Sequence, residues 1–256
     1  MHLYSEIRNY CSILAHHSPR NIPIMIRRST CYIMVIMILL SLTGKGQTPL
    51  VDSNHTSVLG NAGLASALLF TGSFLMDEPL RDISIAHQNR FMDSYTHLIN
   101  YMGSKKVVLP LNAVLFTGGL VFKDTRLQHT AFNAFKSIVG SAGITFALKH
   151  LTGRERPYTG QGAYSFDPFP VNQHAFRSLP SGHATLAFAF MTPFAEQYSR
   201  WLYLIPLSVG FSRIYKDKHW TSDVILGSAL GFISGYFFQH KQKHIECTLN
   251  KVVIRF

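Results

Sequence analysis

The feature that most constrains the fold of this chain is a succession of six apolar segments of helical length. They are rich in Ala, Leu, Phe and Gly, show no alternating strand pattern, and span residues 57–76, 107–122, 131–150, 183–197, 201–215 and 222–239. Apolar runs of this length predict helices, because strands are shorter and their apolar residues alternate with polar ones. The sequence therefore predicts an all-α fold, a bundle of about six core helices, with an amphipathic connector at 77–104 and a long loop at 157–180.

The composition excludes several other classes of protein. Charged residues make up only 14% of the 256 residues and aromatic residues 12%, which argues against an intrinsically disordered chain. Three cysteines cannot build a disulfide scaffold, and the sequence has no CxxC pair to suggest a zinc site. The formal net charge of +11 permits binding to nucleic acid or to an acidic membrane surface. What that charge does depends on where it lies.

The first 46 residues have the character of an upstream segment followed by a signal peptide. Residues 25–28 are a short basic stretch, residues 31–42 are an unbroken apolar run, and residues 44–46 supply small side chains. This order is typical of a secretory signal peptide, and the apolar run is too short to cross a bilayer. We predict that Met25 is the true start, that cleavage falls near Gly46, and that residues 47–256 form the mature domain. The alternative is an anchor that is not cleaved.

The sequence leaves the relation of the helices to the membrane open. Most segments are 15 to 20 residues long, at or below the length of a membrane span, and the segment at 131–150 carries Lys136 and Lys149. These observations favour an exported bundle in the periplasm or on a membrane surface. The nearly charge-free segment at 222–239 favours the alternative, an integral membrane protein.

One of these segments carries a stripe of small residues. Gly227, Gly231 and Gly235 follow one another at intervals of four residues, so they lie on one face of a helix. Small residues allow two helices to approach each other closely. We predict that this face is a helix-packing surface.

Three short stretches of the chain combine cations with groups that bind anions. Lys149 and Arg156 belong to the first stretch and Arg213 to the third. If these cations converge on one point they form a phosphate pocket, because guanidinium groups match phosphate oxygens with paired hydrogen bonds. In the second stretch, Ser181 and Gly182 precede an apolar helix and would offer a hydroxyl and free backbone N–H groups to an anion.

Two histidines lie in the second and third of these stretches. His219 is followed four residues later by Asp223, which can hold one ring N–H and leave the other nitrogen free to attack phosphorus. His183 can act as the general acid that protonates the departing oxygen. Taken singly, each stretch has a simpler explanation: a surface His–Asp pair, a turn with a helix cap, or a solvated helix end.

In their order and spacing, the three stretches resemble the signature of the type 2 phosphatidic acid phosphatase (PAP2) superfamily. The resemblance covers residues 57–240 and implies a helical bundle that hydrolyses phosphate esters through a phosphohistidine, without a metal or other cofactor. It implies that His219 is the nucleophile, Asp223 its partner and His183 the acid. The residues that carry it are Lys149-x6-Arg156-Pro157, Pro180-Ser181-Gly182-His183 and Ser212-Arg213-x5-His219-x3-Asp223. By the same resemblance, phosphate is bound by Lys149, Arg156, Ser181, Gly182 and Arg213.

The leading hypothesis is an exported phosphatase that acts on a phosphomonoester, a lipid phosphate or a lipid diphosphate. A vanadium-dependent haloperoxidase would use the same residues to hold vanadate, but such enzymes are typically much longer. The other alternative is a non-enzymatic basic protein that binds anions. Export and the clustering of cations around two histidines count against it, and against nucleic acid as a partner. The apolar helices and the aromatic loop favour a lipid substrate and a membrane as neighbour or host, but a soluble ester and any oligomeric state stay open.

A few further residues complete the set of candidates. Arg154 is close enough in sequence to help the phosphate pocket. The aromatic residues of the loop at 157–180 either shape the mouth of a substrate site or hold the loop in place. Four other histidines have no partner at an informative spacing and are expected at the surface or in packing contacts: His87, His97, His129 and His174.

Overall fold

The computed structural model describes residues 54–169, 174–241, 245–248 and 251–254. The predicted signal peptide, the start at Met25 and the cleavage near Gly46 lie outside the described residues.

Eight helices make up most of the described chain, which confirms the predicted helical class. Single turns of 3-10 helix at Tyr101–Gly103, Pro157–Thr159, His174–Phe176 and Arg200–Tyr203 lie between them. The six predicted segments correspond to α1 and α4 to α8, and the amphipathic connector forms α2 and α3. The helices are α1 (Asn54–Leu75), α2 (Asp77–Ala86), α3 (Arg90–Asn100), α4 (Lys105–Val121), α5 (Thr125–Thr152), α6 (Gly182–Gln197), α7 (Leu204–Tyr215) and α8 (Thr221–Lys241).

Two short strands near the C-terminal end were not predicted from the sequence. β1 (Ile245–Thr248) and β2 (Lys251–Ile254) pair antiparallel, with Ile245 opposite Ile254 and Thr248 opposite Lys251. The two strands form a small hairpin and leave the helical class of the fold unchanged.

The longest helix, α5, begins and ends at residues with clear capping roles. The side chain of Asp124 accepts a hydrogen bond from the backbone N–H of Leu127 at 3.0 Å. At the other end Gly153 has a φ of 54° and donates its N–H to the carbonyl of Lys149. A left-handed residue of this kind is the usual way to stop a helix, and a side chain there would collide with the backbone of Asp167. This stop places Lys149 in the last turn of α5.

The core of the bundle is centred on α6, which packs between α5 and α8. Its residues Ala189 and Phe190 are buried in one cluster with Ala134 and Ile138 of α5. The glycine stripe of α8 faces α6 in the predicted way: a Cβ on Gly227 would lie 2.6 Å from the Ser181 carbonyl oxygen, and residues 231 and 235 are equally tight. The prediction of a packing face is therefore confirmed.

Three helices in the described ranges are long and apolar enough to cross a membrane, namely Ser57–Leu75 of α1, all of α5, and Thr221–His240 of α8. The apolar window of α1 is entirely unburied, and large apolar side chains such as Phe122 are 81% exposed. Apolar surface of this extent is stable when it contacts lipid. The structure thus supports an integral membrane protein, whereas the sequence favours a bundle outside the membrane.

Candidate active site

The three sequence stretches meet at one end of the bundle. The backbone N–H of Ser181, just before α6, donates to the carbonyl of Asp223 in the first turn of α8 at 2.9 Å. The ammonium group of Lys149 reaches the carbonyls of Arg177 and Ser178 at 2.7 and 3.3 Å. These bonds tie the last turn of α5, the segment before α6 and the start of α8 together around a shared space.

The third stretch folds back on itself to place His219. After α7 ends at Tyr215, a tight turn follows in which Asp217 has a φ of 54°. The N–H groups of Lys218 and His219 both donate to the carbonyl of Arg213, at 3.1 and 3.3 Å. The turn therefore holds His219 close to Arg213 in the last turn of α7.

His219 and Asp223 form the expected pair, with a third partner that the sequence did not indicate. Asp223 Oδ2 lies 3.6 Å from His219 Nδ1, and the Ser178 hydroxyl donates to the same oxygen at 2.5 Å. The Ser178 oxygen is itself 3.4 Å from His219 Nδ1. All three side chains are buried. Because Nδ1 faces the carboxylate and the hydroxyl, Nε2 is the nitrogen left for chemistry.

The protonation of the two histidines follows from burial and from the cations around them. Burial lowers the pKa of His219 well below its usual 6.5, and the charges of Lys149 and Arg156 act in the same direction. Burial, together with the charges of Arg213 and Arg156, lowers the pKa of His183 to about 4. His219 is consequently a neutral base near pH 7, as a nucleophile requires. A bound phosphate dianion would offset the cations and favour the protonated form of His183.

Several buried donors around this space have no hydrogen-bond partner among the described residues. They include the Nε atoms of Arg156 and Arg213 and the hydroxyl of Ser181, which makes no capping bond to α6. Burial lowers the pKa of Arg156, and it lowers that of Arg213 to about 10. Buried donors are almost always satisfied in folded proteins. Unpaired donors carried by poorly solvated cations indicate a binding site for an anion.

A cavity of about 460 Å³ is lined in part by residues of the three stretches. Lys149, Gly182 and His183 line its polar end, and Lys105 and Lys106 at the start of α4 line its side. The cavity continues along α5 and α6 past the apolar residues Ala142, Phe146 and Leu186. Its lining therefore combines lysine and histidine residues with apolar side chains.

Residues 130–245 match the family model of the PAP2 superfamily. This region is similar to that superfamily and makes up a little less than half of the chain. The match contains all three stretches that carry the resemblance seen in the sequence.

Curated relatives of this chain are phosphatases of phosphorylated lipids by name. It is 36% identical over 102 residues to a lipid A 1-phosphatase of Rhizobium etli, which covers 38% of this chain and 44% of the relative. It is 28% identical over 134 residues to an undecaprenyl-diphosphatase of Sulfolobus acidocaldarius, covering 50% of this chain and 60% of that protein. The chain thus spans less than half the length of the lipid A 1-phosphatases it matches.

A solved structure shows the same fold. The transmembrane PAP2-type phosphatidylglycerolphosphate phosphatase of Bacillus subtilis superposes with a TM-score of 0.56 at 20% identity, covering 72% of this chain and 96% of that one. At this level of identity the likeness concerns the fold alone.

The structure corrects one expectation about the predicted phosphate pocket. Arg154 is fully buried and its guanidinium is hydrogen-bonded to Asp77 and Asp223, each at 2.8 Å, and to the hydroxyl of Ser222 at 2.7 Å. With its donors bonded to these groups and to the carbonyl of Ala163, it is not available to a phosphate.

Several residues of this site carried no signal in the sequence. Asn100, which accepts a hydrogen bond from Arg213, and Asp77, which accepts one from Arg154, lie far from the three stretches along the chain and are brought in by the fold. Ser178 lies three residues before Ser181, where its spacing could have suggested a role. Two of the loop aromatics pack against the bundle, since Tyr164 and Phe166 contact the ring of Phe74 in α1. The four histidines without a partner at an informative spacing in the sequence are exposed, as predicted: His87, His97, His129 and His174.

Proposed function

We propose that this protein is a membrane phosphatase that hydrolyses a phosphorylated lipid through a phosphohistidine at His219, without a metal. The observation that carries the proposal is the combination of a neutral, buried imidazole with unpaired buried cationic donors beside it. Such an arrangement suits a nucleophile and a dianion that share one small space. Export by the predicted signal peptide stays a prediction.

The first chemical step uses the groups at the pocket's cationic end. Arg156, Arg213 and the start of α6 hold the phosphate oxygens, so that His219 Nε2 can attack phosphorus in line with the leaving oxygen. The new P–N bond forms as the P–O bond to the lipid breaks. His183 gives its proton to the leaving oxygen, and Asp223 stabilises the imidazolium through Nδ1.

The second step restores the enzyme. His183, now neutral, removes a proton from a water molecule as the water oxygen attacks phosphorus. The P–N bond breaks, inorganic phosphate is released, and His219 returns to its neutral state. The same cations stabilise the charge in both transition states, because the phosphoryl group stays between them.

The cavity favours a lipid over a soluble ester. It is lined by Lys149, Gly182 and His183 of the proposed site, and elsewhere by Ala142, Phe146 and Leu186. Phe146 is 64% exposed on the side of the bundle, on one of the helices that can cross a membrane. An amphiphile with a phosphate head and an apolar chain matches this division. The names of the relatives given above agree with this class of substrate.

The proposal is tested with the full-length protein reconstituted in vesicles. Release of inorganic phosphate is measured from phosphatidate, from a polyprenyl diphosphate and from p-nitrophenyl phosphate, together with acid-labile labelling of the protein by a radioactive substrate. His219→Ala should lower turnover by at least about 10³-fold and abolish the labelling. The exposed His174→Ala is the matched control and should behave like the wild type. Turnover retained by His219→Ala would refute the nucleophile assignment.

A further inference from the structure

We propose that Asp77 is a positioning residue of this reaction, acting on the nucleophile through Arg154, Ser222 and Asp223. The inference rests on the proposed phosphohistidine mechanism. Asp77 is the first residue of α2 and lies outside the matched region 130–245. It thus belongs to none of the three stretches that define the resemblance.

The carboxylate of Asp77 is completely buried and fully engaged. Its Oδ1 accepts the backbone N–H of Ser222 at 2.9 Å, and its Oδ2 accepts the hydroxyl of Ser222 at 2.5 Å. Arg154 Nη2 donates to the same Oδ2 at 2.8 Å. Ser222 directly precedes Asp223, so Asp77 holds the backbone of the first turn of α8, from which the partner of His219 projects.

Arg154 connects the two carboxylates. Its Nη1 donates to Asp223 Oδ1 at 2.8 Å, opposite the oxygen that faces His219. The rings of Phe74 and Trp220 lie 4.8 and 5.5 Å from the centre of the guanidinium and shield it from solvent. Asp77, Arg154, Asp223 and His219 therefore form one continuous buried chain of charged and polar contacts.

The charges in this chain do not balance while His219 is neutral. With both carboxylates ionised, Asp77, Arg154 and Asp223 together carry one negative charge, which lies between the imidazole and the bundle interior and opposes the cations of the proposed phosphate pocket. When His219 takes up the phosphoryl group its ring becomes cationic, and the excess charge then stabilises it in a medium that screens poorly. Without the charge of Asp77, Arg154 would neutralise Asp223 and weaken that stabilisation.

A purely structural role for Asp77 makes a different prediction. If Asp77 only docked α2 onto α8, its loss would reduce the fraction of folded enzyme and leave the turnover per active site unchanged. If it positions Asp223 and supplies charge, each active site should turn over more slowly while phosphate binding stays intact. The number of active sites is counted by the stoichiometry of phosphoenzyme labelling.

The experiment compares Asp77→Asn with the wild type in vesicles. Asn keeps the size of the side chain and removes its charge. We expect kcat per labelled site to fall about tenfold to a hundredfold, with KM changed less than about twofold. Asp82→Asn, an exposed carboxylate on the same helix, is the matched control and should keep the wild-type kcat. An unchanged kcat per site in Asp77→Asn, or a change in KM alone, would overturn the proposal.

A second variant decides the matter if Asp77→Asn does not fold. Ser222→Ala retains every charge and removes the hydroxyl that links Asp77 to Arg154. It should lower kcat per labelled site about fivefold at constant KM, and an unchanged kcat would contradict the inference. A wild-type protein that neither labels nor releases phosphate would instead refute the proposed function itself.

Discussion

Asn100 accepts a hydrogen bond from Arg213, with Oδ1 2.5 Å from Nη1. Asn100 is the last residue of α3, and Arg213 lies in the last turn of α7. The bond fixes one side of the guanidinium to the connector between the first two apolar segments, while Nε has no partner in the described structure. The proposed phosphate pocket is therefore oriented by a part of the chain that carries none of its cations.

Replacing this anchor should weaken catalysis without removing a charge. We expect Asn100→Ala to lower kcat/KM for a lipid phosphate about tenfold, since the guanidinium loses a charged hydrogen bond that aims it. Steady-state phosphate release in vesicles measures the effect. Asn61→Ala, an exposed position on α1, serves as the control. Equal kcat/KM in the two variants would show that Arg213 needs no such support.

The two lysines beside the cavity should act through their charge. Changing Lys105 and Lys106 together to Gln should lower kcat/KM for an anionic lipid about threefold to tenfold at low ionic strength, and the difference should shrink as salt screens the charges. Lys123→Gln, exposed just beyond the other end of α4, is the control. A loss that does not depend on salt would mean that the lysines act by shape and not by charge.

The lowered pKa of His183 predicts how stability depends on pH. Between pH 6.5 and about 4, the unfolded chain binds a proton at this histidine and the ligand-free folded chain does not, so the free energy of unfolding falls as the pH falls. Above pH 6.5 neither state binds it, and this contribution is constant. The melting temperature in detergent should therefore decrease less from pH 7 to pH 5 in His183→Gln than in the wild type. The exposed His129→Gln should follow the wild type, and identical slopes for all three would contradict the assignment.

The packing face of α8 predicts a stability difference between two glycines. A Cβ on Gly231 would lie 2.7 Å from Phe188 Cβ and 2.8 Å from the backbone nitrogen of Ala189, whereas nothing lies within 4 Å of one on Gly143 of α5. Gly231→Ala should cost about 1–3 kcal/mol of folding free energy through overpacking. Gly143→Ala should leave the melting temperature unchanged or raise it, because alanine favours a helix over glycine. Equal melting temperatures would contradict this prediction, because α6 and α8 would then move apart without any loss of folding free energy.

Those parts of the fold and the site that depend on residues near one another in the chain could be predicted from the sequence. Helices follow from apolar runs, and the pair of His219 and Asp223 follows from a spacing of four residues. The ends of helices are harder to predict from an apolar pattern. The third segment was predicted at 131–150 but α5 begins at Thr125, because the polar first turn after Asp124 hides the helix from an apolar pattern. Because the predicted segment is shorter than the helix, the sequence favours a bundle outside the membrane more strongly than the structure does.

The remaining parts depend on contacts between distant segments, which no spacing encodes. Arg154 and Arg156 are residues of the same type that lie two positions apart in the sequence. Arg154 is nevertheless enclosed between two carboxylates, whereas Arg156 keeps an unpaired Nε. Asp77 meets Ser222 only because α2 packs beside the start of α8. Such roles become visible once the fold brings their partners together.

The cavity that adjoins His183 runs past the exposed Phe146 at the flank of the bundle. A substrate that arrives by this flank is already dissolved in the bilayer. The protein then encounters substrate molecules that diffuse in the plane of the membrane and not molecules in the surrounding water. Its rate would then follow the mole fraction of the phosphorylated lipid among its neighbours. Diluting the vesicles with unreactive lipid would slow the reaction even when the total amount of substrate stays constant.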